Sequence, residues 1–305
     1  SPAPEGLGYP RIPGAFNDAH EAGWRRVTEA VHDAGGAIFL QIMHTGRVGH
    51  PANIPGGAII QAPSAIAPEG TKMYTDKTGS EEPIPEPHAM DIVQIQSTTN
   101  GYVESAKLAI RAGFDGVELH AANGYLMEQF LNPKSNERTD EYGGTPENRR
   151  RFVVDTAQAV ADAIGADRVG IRISPYGVFN DTGAFDDIEP FYTDLARELS
   201  DIGLVYVHMV DHSSMGTPEV PDSIKKAVRE AFDGTFILSG GYDCERAQED
   251  LEADKGDLVA FGRPFLANPD LVERMKKGAD LNEPRQELFY TPGPEGYTDY
   301  PTLGE

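Results

Sequence analysis

The chain has 305 residues, 39% of them hydrophobic, enough for one large domain with a full core or two small ones. Its formal net charge of −23, from 49 Asp and Glu against 26 Lys and Arg, excludes a nucleic-acid surface and disfavours docking on anionic lipid, since both need clustered cations; the balance reads as solubility, adaptation to salt or steering of a cationic partner. A single cysteine, Cys244, excludes a disulfide framework and a cysteine-rich metal or iron–sulfur site, and no apolar run is long enough to cross a membrane.

The opening SPAPEGLGYPRIPG lacks the charged and apolar regions of a signal peptide, so the expected location is the cytoplasm. AHEAGWRRVTEAVHDAGG at 19–36 has helical spacing, and AIFLQIM at 37–43 is a strand. The 44–90 stretch is rich in Pro and Gly and is expected to be a long functional loop or lid. DIVQIQSTTNGYVESAKLAIRAG at 91–113 is a helix ending on Gly113. GVELH at 116–120 is a strand. TPENRRRFVVDTAQAVADAIG at 145–165 is a helix that opens with Thr as cap and Pro at the first helical position. Strand and helix then alternate: VGIRIS at 169–174, DDIEPFYTDLARELSDIG, LVYVHMV at 204–210, PDSIKKAVREAF, TFILSGG at 235–241, CERAQEDLEADKG, DLVAFG at 257–262 and NPDLVERMKKG.

Six strands with helices between them predict a parallel sheet, either an open doubly wound sheet or a (β/α)₈ TIM barrel. The first strand ends in QIMHTGRVGH, where a dinucleotide-binding sheet would carry GxGxxG. Polar residues close almost every strand (Gln41, His120, Arg172, His208, Ser239, Arg263), which suits a barrel, whose site gathers many strand ends. Six strands cannot close such a barrel. The expectation is one domain over 1–305 that encodes barrel strands 3–8 and lacks strands 1–2 at its N-terminus, since each βα unit takes about 30 residues.

One stretch stands out. GVELHAANGYLMEQFLNP, residues 116–133, passes from strand to helix and places His120, Asn123 and Tyr125 at the changeover, where apolar packing would be simpler. Taken alone, these are a structural His, a turn-forming Asn and a packed aromatic.

In order along the chain, GYPRIPGAF, FLQIMHTGRVGHP, APSAIAP, AGFDGVELHAANGYLMEQFLNPKSNERTDEYGG, ENRRRFVVD, FGRPFLANPDLV and EGYTDYP together resemble the old yellow enzymes. These are FMN-dependent, NAD(P)H-driven ene-reductases on a (β/α)₈ barrel. The resemblance spans essentially the whole chain and implies FMN as cofactor, NADPH or NADH as reductant, and a small activated alkene (enone, enal, maleimide or nitroalkene) as substrate. The family's first strand carries a Pro-Leu-Thr-like segment whose hydroxyl touches the flavin, and its second adds further contacts; neither is matched here. The missing strands would belong to a longer polypeptide, to a second polypeptide segment, or to nothing, leaving a truncated fragment without flavin.

The resemblance also implies roles. His120 and Asn123 match a pair that donates to the oxygen of the alkene's activating group, where hydride delivery builds negative charge. Tyr125 matches the proton donor; a phenol of pKa about 10 stays protonated at neutral pH. Gln41 suits the flavin's alternating N–H and C=O edge, and Arg172 its reduced, anionic form. Ser239-Gly240-Gly241 and Gly262-Arg263 follow the last two strands, where barrels often hold phosphate. Met43 stands where relatives often carry a Trp lining the substrate pocket, which implies a roomier pocket or altered facial selectivity. Tyr290 resembles a C-terminal aromatic that closes the pocket. His44 and Arg47 carry no assigned role, and Trp24 and Cys244 read as ordinary helix residues. A glycosidase on the same barrel would need two strand-end carboxylates; Glu118 shares the face of His120, and no second is evident.

Overall fold

Apolar and polar residues alternate along each strand, and the fold follows from which side each set takes. The computed structural model describes residues 1–304. Its main sheet has six parallel strands: β1 (Phe39–Ile42), β2 (Gly116–Ala121), β3 (Val169–Ile173), β4 (Tyr206–Val210), β5 (Thr235–Ser239) and β6 (Leu258–Ala260). Spatial order equals chain order throughout. A doubly wound sheet reverses its order at a switch point; this one does not, so its winding is that of a barrel.

The sheet is also rolled. Phe39 on β1 and Tyr206 on β4 meet with ring centroids 5.7 Å apart, although three strand spacings on a flat sheet would separate them by about 14 Å. Two strand glycines make this possible. A Cβ on Gly116 would fall 2.3 Å from the Phe39 ring, and one on Gly170 2.2 Å from the Tyr206 ring. These glycines open space for an aromatic floor.

The outward strand residues Leu40, Ile42, Val117, Leu119, Ile171, Ile173, Val207, Met209, Phe236 and Leu238 are buried in one continuous core. Each such side chain contributes about 1.5–3 kcal/mol by leaving water. Against them pack α1 (Asp18–Asp33), α2 (Ile92–Arg111), α3 (Leu126–Leu131), α4 (Pro146–Ile164), α5 (Ile188–Ile202), α6 (Asp222–Ala231), α7 (Cys244–Glu252), α8 (Arg263–Ala267) and α9 (Leu271–Lys277). None is long and apolar enough to cross a membrane. Thr145 caps α4 with Pro146 at its first position, and α2 begins with a capping box between Asp91 and Gln94. Gly113 follows α2 at φ 96°, the backbone that makes it a helix stop.

Among the described residues, the outer edges of β1 and β6 pair with no strand. The 44–90 stretch holds a short parallel pair, Gln61–Ala62 with His88–Ala89, and a hairpin, Lys72–Thr75 with Ser80–Pro83, which the composition of the loop had not suggested. Buried Arg47 ties this stretch to the loop after β3, donating to the carbonyls of Ile66, Asn180 and Asp181.

Candidate active site

The strand end at 120–125 is fixed by hydrogen bonds that occupy its acceptor atoms. His120 is buried at the end of β2, and its Nδ1 accepts the Ala122 N–H at 3.2 Å. The proton therefore sits on Nε2. Burial, helped by the charge of Arg172, pushes this imidazole down to about 3, so it is neutral near pH 7. Asn123 adopts a left-handed backbone, φ 57°, which Asn tolerates better than most residues. It is held there by its N–H donating to Ser174 Oγ (2.8 Å) and its carbonyl accepting from Asn180 Nδ2 (2.7 Å). Its side-chain Oδ1 lies 2.8 Å from His212 Nε2. Next, Gly124 has φ 74°, and a Cβ there would sit 2.6 Å from the Phe179 carbonyl oxygen; only glycine fits.

Tyr125 precedes α3 and turns its ring edge-on to His120, centroids 4.9 Å apart. Its hydroxyl is 3.1 Å from that of Tyr9. Burial raises both phenols above the ordinary value, and a nearby Tyr290 adds to each. Tyr125 thus stays protonated at any physiological pH. Beneath the turn, Glu128 is wholly buried, accepting from Gly124 N–H at 2.6 Å and sharing Ser174 Oγ at 3.0 Å. Burial pushes its carboxyl up to about 7 despite these bonds.

The concave face of the sheet carries a second polar network. Gln41 Nε2 donates to Glu118 Oε1 at 2.6 Å, His208 Nδ1 lies 2.9 Å from Glu118 Oε2, and His208 Nε2 lies 2.9 Å from Ser239 Oγ. Burial raises the Glu118 carboxyl, but the bonds from His208 and Gln41 and the charge of Arg172 outweigh it and hold the group at about 2. Glu118 is thus a stable anion. Arg172 faces it from β3, yet its Nε is buried with no hydrogen-bond partner. A buried, unpaired guanidinium donor is costly unless a ligand completes it. An anionic or carbonyl-bearing ring edge beside Arg172 and Gln41 is such a ligand, so the residues present fit a flavin.

The predicted residues do not all behave alike. His120 and Tyr125 meet ring to ring, Asn123 sits on the turn between them, and Met43, half-buried, follows β1. Ser239 spends its hydroxyl on His208 and the Met209 carbonyl. Gly240 and Gly241 first serve chain packing: a Cβ at 240 would meet the Asp211 carbonyl at 1.9 Å, and one at 241 the Ser214 Cβ at 2.3 Å. Arg263, after Gly262 at the start of α8, is exposed, and among the described residues no carboxylate pairs with it. Tyr290 is 89% exposed rather than packed over the donors. His44 and Arg47 are buried, His44 Nδ1 accepting the Gly46 N–H at 3.0 Å.

Sequence reasoning missed Tyr9, Ser174, Glu128 and His212, and it placed His208 at a strand end without a role or a partner. The Tyr9–Tyr125 contact joins residues 116 positions apart, and no local pattern signals it. Alternation puts Glu118 and His208 on the inner face of β2 and β4, but β3 lies between those strands, so only the curl of the sheet brings the two side chains within 2.9 Å.

The rolled parallel sheet thus carries neutral N–H donors and a buried guanidinium at its strand ends. A family profile described as NADH:flavin oxidoreductase / NADH oxidase matches residues 1–282. The chain is 43% identical over 292 residues to a probable flavin mononucleotide-dependent alkene reductase of Leishmania infantum, covering 95% of this chain and 79% of that protein. It is 38% identical to 12-oxophytodienoate reductase 7 of Oryza sativa subsp. japonica, covering 99% and 81%. Among solved structures, morphinone reductase superposes with a TM-score of 0.95 at 43% identity, covering 99% of this chain and 82% of that one; a complex of morphinone reductase with tetrahydroNAD gives 0.94. The chain belongs to the NADH:flavin oxidoreductase / NADH oxidase family, the old yellow enzymes, and is an oxidoreductase of that type, with FMN as cofactor and a nicotinamide as reductant.

Proposed function

We propose that the protein reduces the carbon–carbon double bond of small activated alkenes: enones, enals, maleimides and nitroalkenes. When bound, FMN would supply the hydride, drawn from NADPH or NADH. The chain's own part is to bind, polarise and protonate. His120 Nε2–H and the Asn123 carboxamide donate to the oxygen of the activating group, stabilising the charge that grows there; one such donor typically contributes 10²–10³ in rate. Tyr125 gives its phenolic proton to the α-carbon. Tyr9, bonded to the Tyr125 hydroxyl, orients that proton. Gln41 and Arg172 hold the flavin ring, Glu118 orienting the Gln41 amide by taking one of its N–H groups. Arg263 with the 239–241 and 262 backbone takes the phosphate. Met43 and Tyr290 border the substrate.

The observation that supports this reading is a strand end, 120–125, where His120 and Asn123 keep neutral N–H donors while their acceptor atoms are already engaged. The test is turnover of 2-cyclohexenone by flavin-loaded protein with NADPH or NADH, followed as ketone formed. His120→Ala and Asn123→Ala should each lower kcat/KM about 10²–10³-fold; unchanged turnover in both would refute the assignment.

The fold extends the proposal. The free edges of β1 and β6 are those of barrel strands 3 and 8, and two further strands between them complete the (β/α)₈ barrel as one domain, with 44–90 as its lid. This chain spans 79% of the Leishmania infantum relative and 82% of morphinone reductase.

A further inference from the structure

His212 follows β4, on a different element from the strand end it touches. Its ring lies edge-on to Phe179, centroids 4.6 Å apart, and is half-buried. Burial, then the charges of Arg172 and Arg263, push it down to about 4 against the pull of Asp211, so it is neutral near pH 7. Its Nε2 lies 2.8 Å from Asn123 Oδ1. A carboxamide oxygen only accepts, so the proton must be on Nε2. With Oδ1 taken, the two N–H groups of Asn123 are what remains to meet a ligand, and among the described residues no protein group takes them. Turned over, the same carboxamide would present its oxygen to the ligand, and two oxygens in contact repel. The backbone of Asn123 is already fixed by Ser174 and Asn180. Rotation of the side-chain amide is the freedom left, and His212 is the group that removes it.

We infer that His212 is a positioning residue for the reaction: its Nε2–H holds the oxygen of Asn123, so that the carboxamide N–H groups face the oxygen of the acceptor. This rests on the reading of Asn123 as a donor made above and deepens it. His212 touches neither acceptor nor reacting carbon; it acts through Asn123.

The test is a double-mutant cycle in flavin-loaded protein with 2-cyclohexenone as acceptor. His212→Phe keeps a ring against Phe179 and removes the donor. Its kcat/KM should fall about tenfold, while in an Asn123→Ala background the same change should alter kcat/KM less than about twofold, since the group it orients is gone. His212→Gln, which keeps an N–H donor, should recover most of the loss; it also guards against a phenylalanine that merely disturbs the loop. Equal losses in both backgrounds, or no recovery with glutamine, would overturn the inference. If Asn123→Ala is costly but His212→Phe is neutral, the inference fails and the donor reading stands. If Asn123→Ala itself changes nothing, the donor reading fails and takes the inference with it.

Discussion

The two halves of the site differ in how far the chain completes them. At 120–125 the acceptor atoms are satisfied from within: Ala122 N–H on His120 Nδ1, His212 on Asn123 Oδ1, and Gly124 N–H on Glu128. Across the concave face, Arg172 Nε is buried without a partner and Gln41 leans on Glu118. The donor side is therefore set before anything binds. The concave side carries a guanidinium that faces the Glu118 anion but keeps a buried Nε–H without a hydrogen-bond partner, a donor that a ligand could complete. Preorganisation belongs where charge appears during reaction, because donors already in place need no reorganisation at that moment. An unmet group belongs where a resident cofactor stays bound.

Four changes probe this contrast, in descending order of effect. Tyr125→Phe removes the proton while keeping the ring against His120; ketone formation should fall by about 10²–10⁴, while NADPH-driven bleaching of the flavin colour persists. Arg172→Met should weaken FMN binding by about 10–100-fold, the range for a charge-assisted hydrogen bond. Titration of the flavin-free protein with FMN measures it, and an unchanged affinity would contradict the assignment.

The third change is a titration. The Glu128 carboxyl is raised in the fold, from 4.5 to about 7 by burial. The folded state therefore binds this proton more tightly than the unfolded one. Its stabilising contribution is fully present below about pH 4.5 and is lost as pH rises through about 7. Glu128→Gln should flatten the stability profile across that window, a difference on the order of 2–3 kcal/mol between its ends. Urea midpoints at pH 5 and pH 8 measure it, and parallel profiles for the two proteins would contradict the assignment. Smallest is Gly124→Ala, at φ 74° against the Phe179 carbonyl. It should cost about 1–2 kcal/mol of stability and slow turnover by shifting Asn123 and Tyr125.

Much of this was legible beforehand, for physical reasons. The six strands and the crossover helices are periodic and bounded by turn residues, and 145–165 announced its start with Thr-Pro; the observed α4 is Pro146–Ile164. Strand ends were overextended where backbone chemistry intervened: TFILSGG stops at Ser239 because Gly240 and Gly241 take φ 133° and 64°. The hairpin at Lys72–Thr75 and Ser80–Pro83 was hidden because its second strand, SEEP, has no apolar alternation. In the site, alternation indicates which residues face inward but not which partner each finds. Gln41 and Ser239 could be placed on the concave face, whereas their bonds to Glu118 and His208 depend on the curl of the sheet. Tyr9 and His212 reach the donors from distant segments, a contact only the fold creates.

The central claim is tested most directly by a crystal structure of the FMN-loaded protein with 2-cyclohexenone bound. The account predicts the ketone oxygen within about 3 Å of both His120 Nε2 and Asn123 Nδ2, with the Asn123 oxygen still on His212 and the Tyr125 hydroxyl beside the α-carbon. A ketone oxygen bound elsewhere, or facing the Asn123 oxygen, would contradict it.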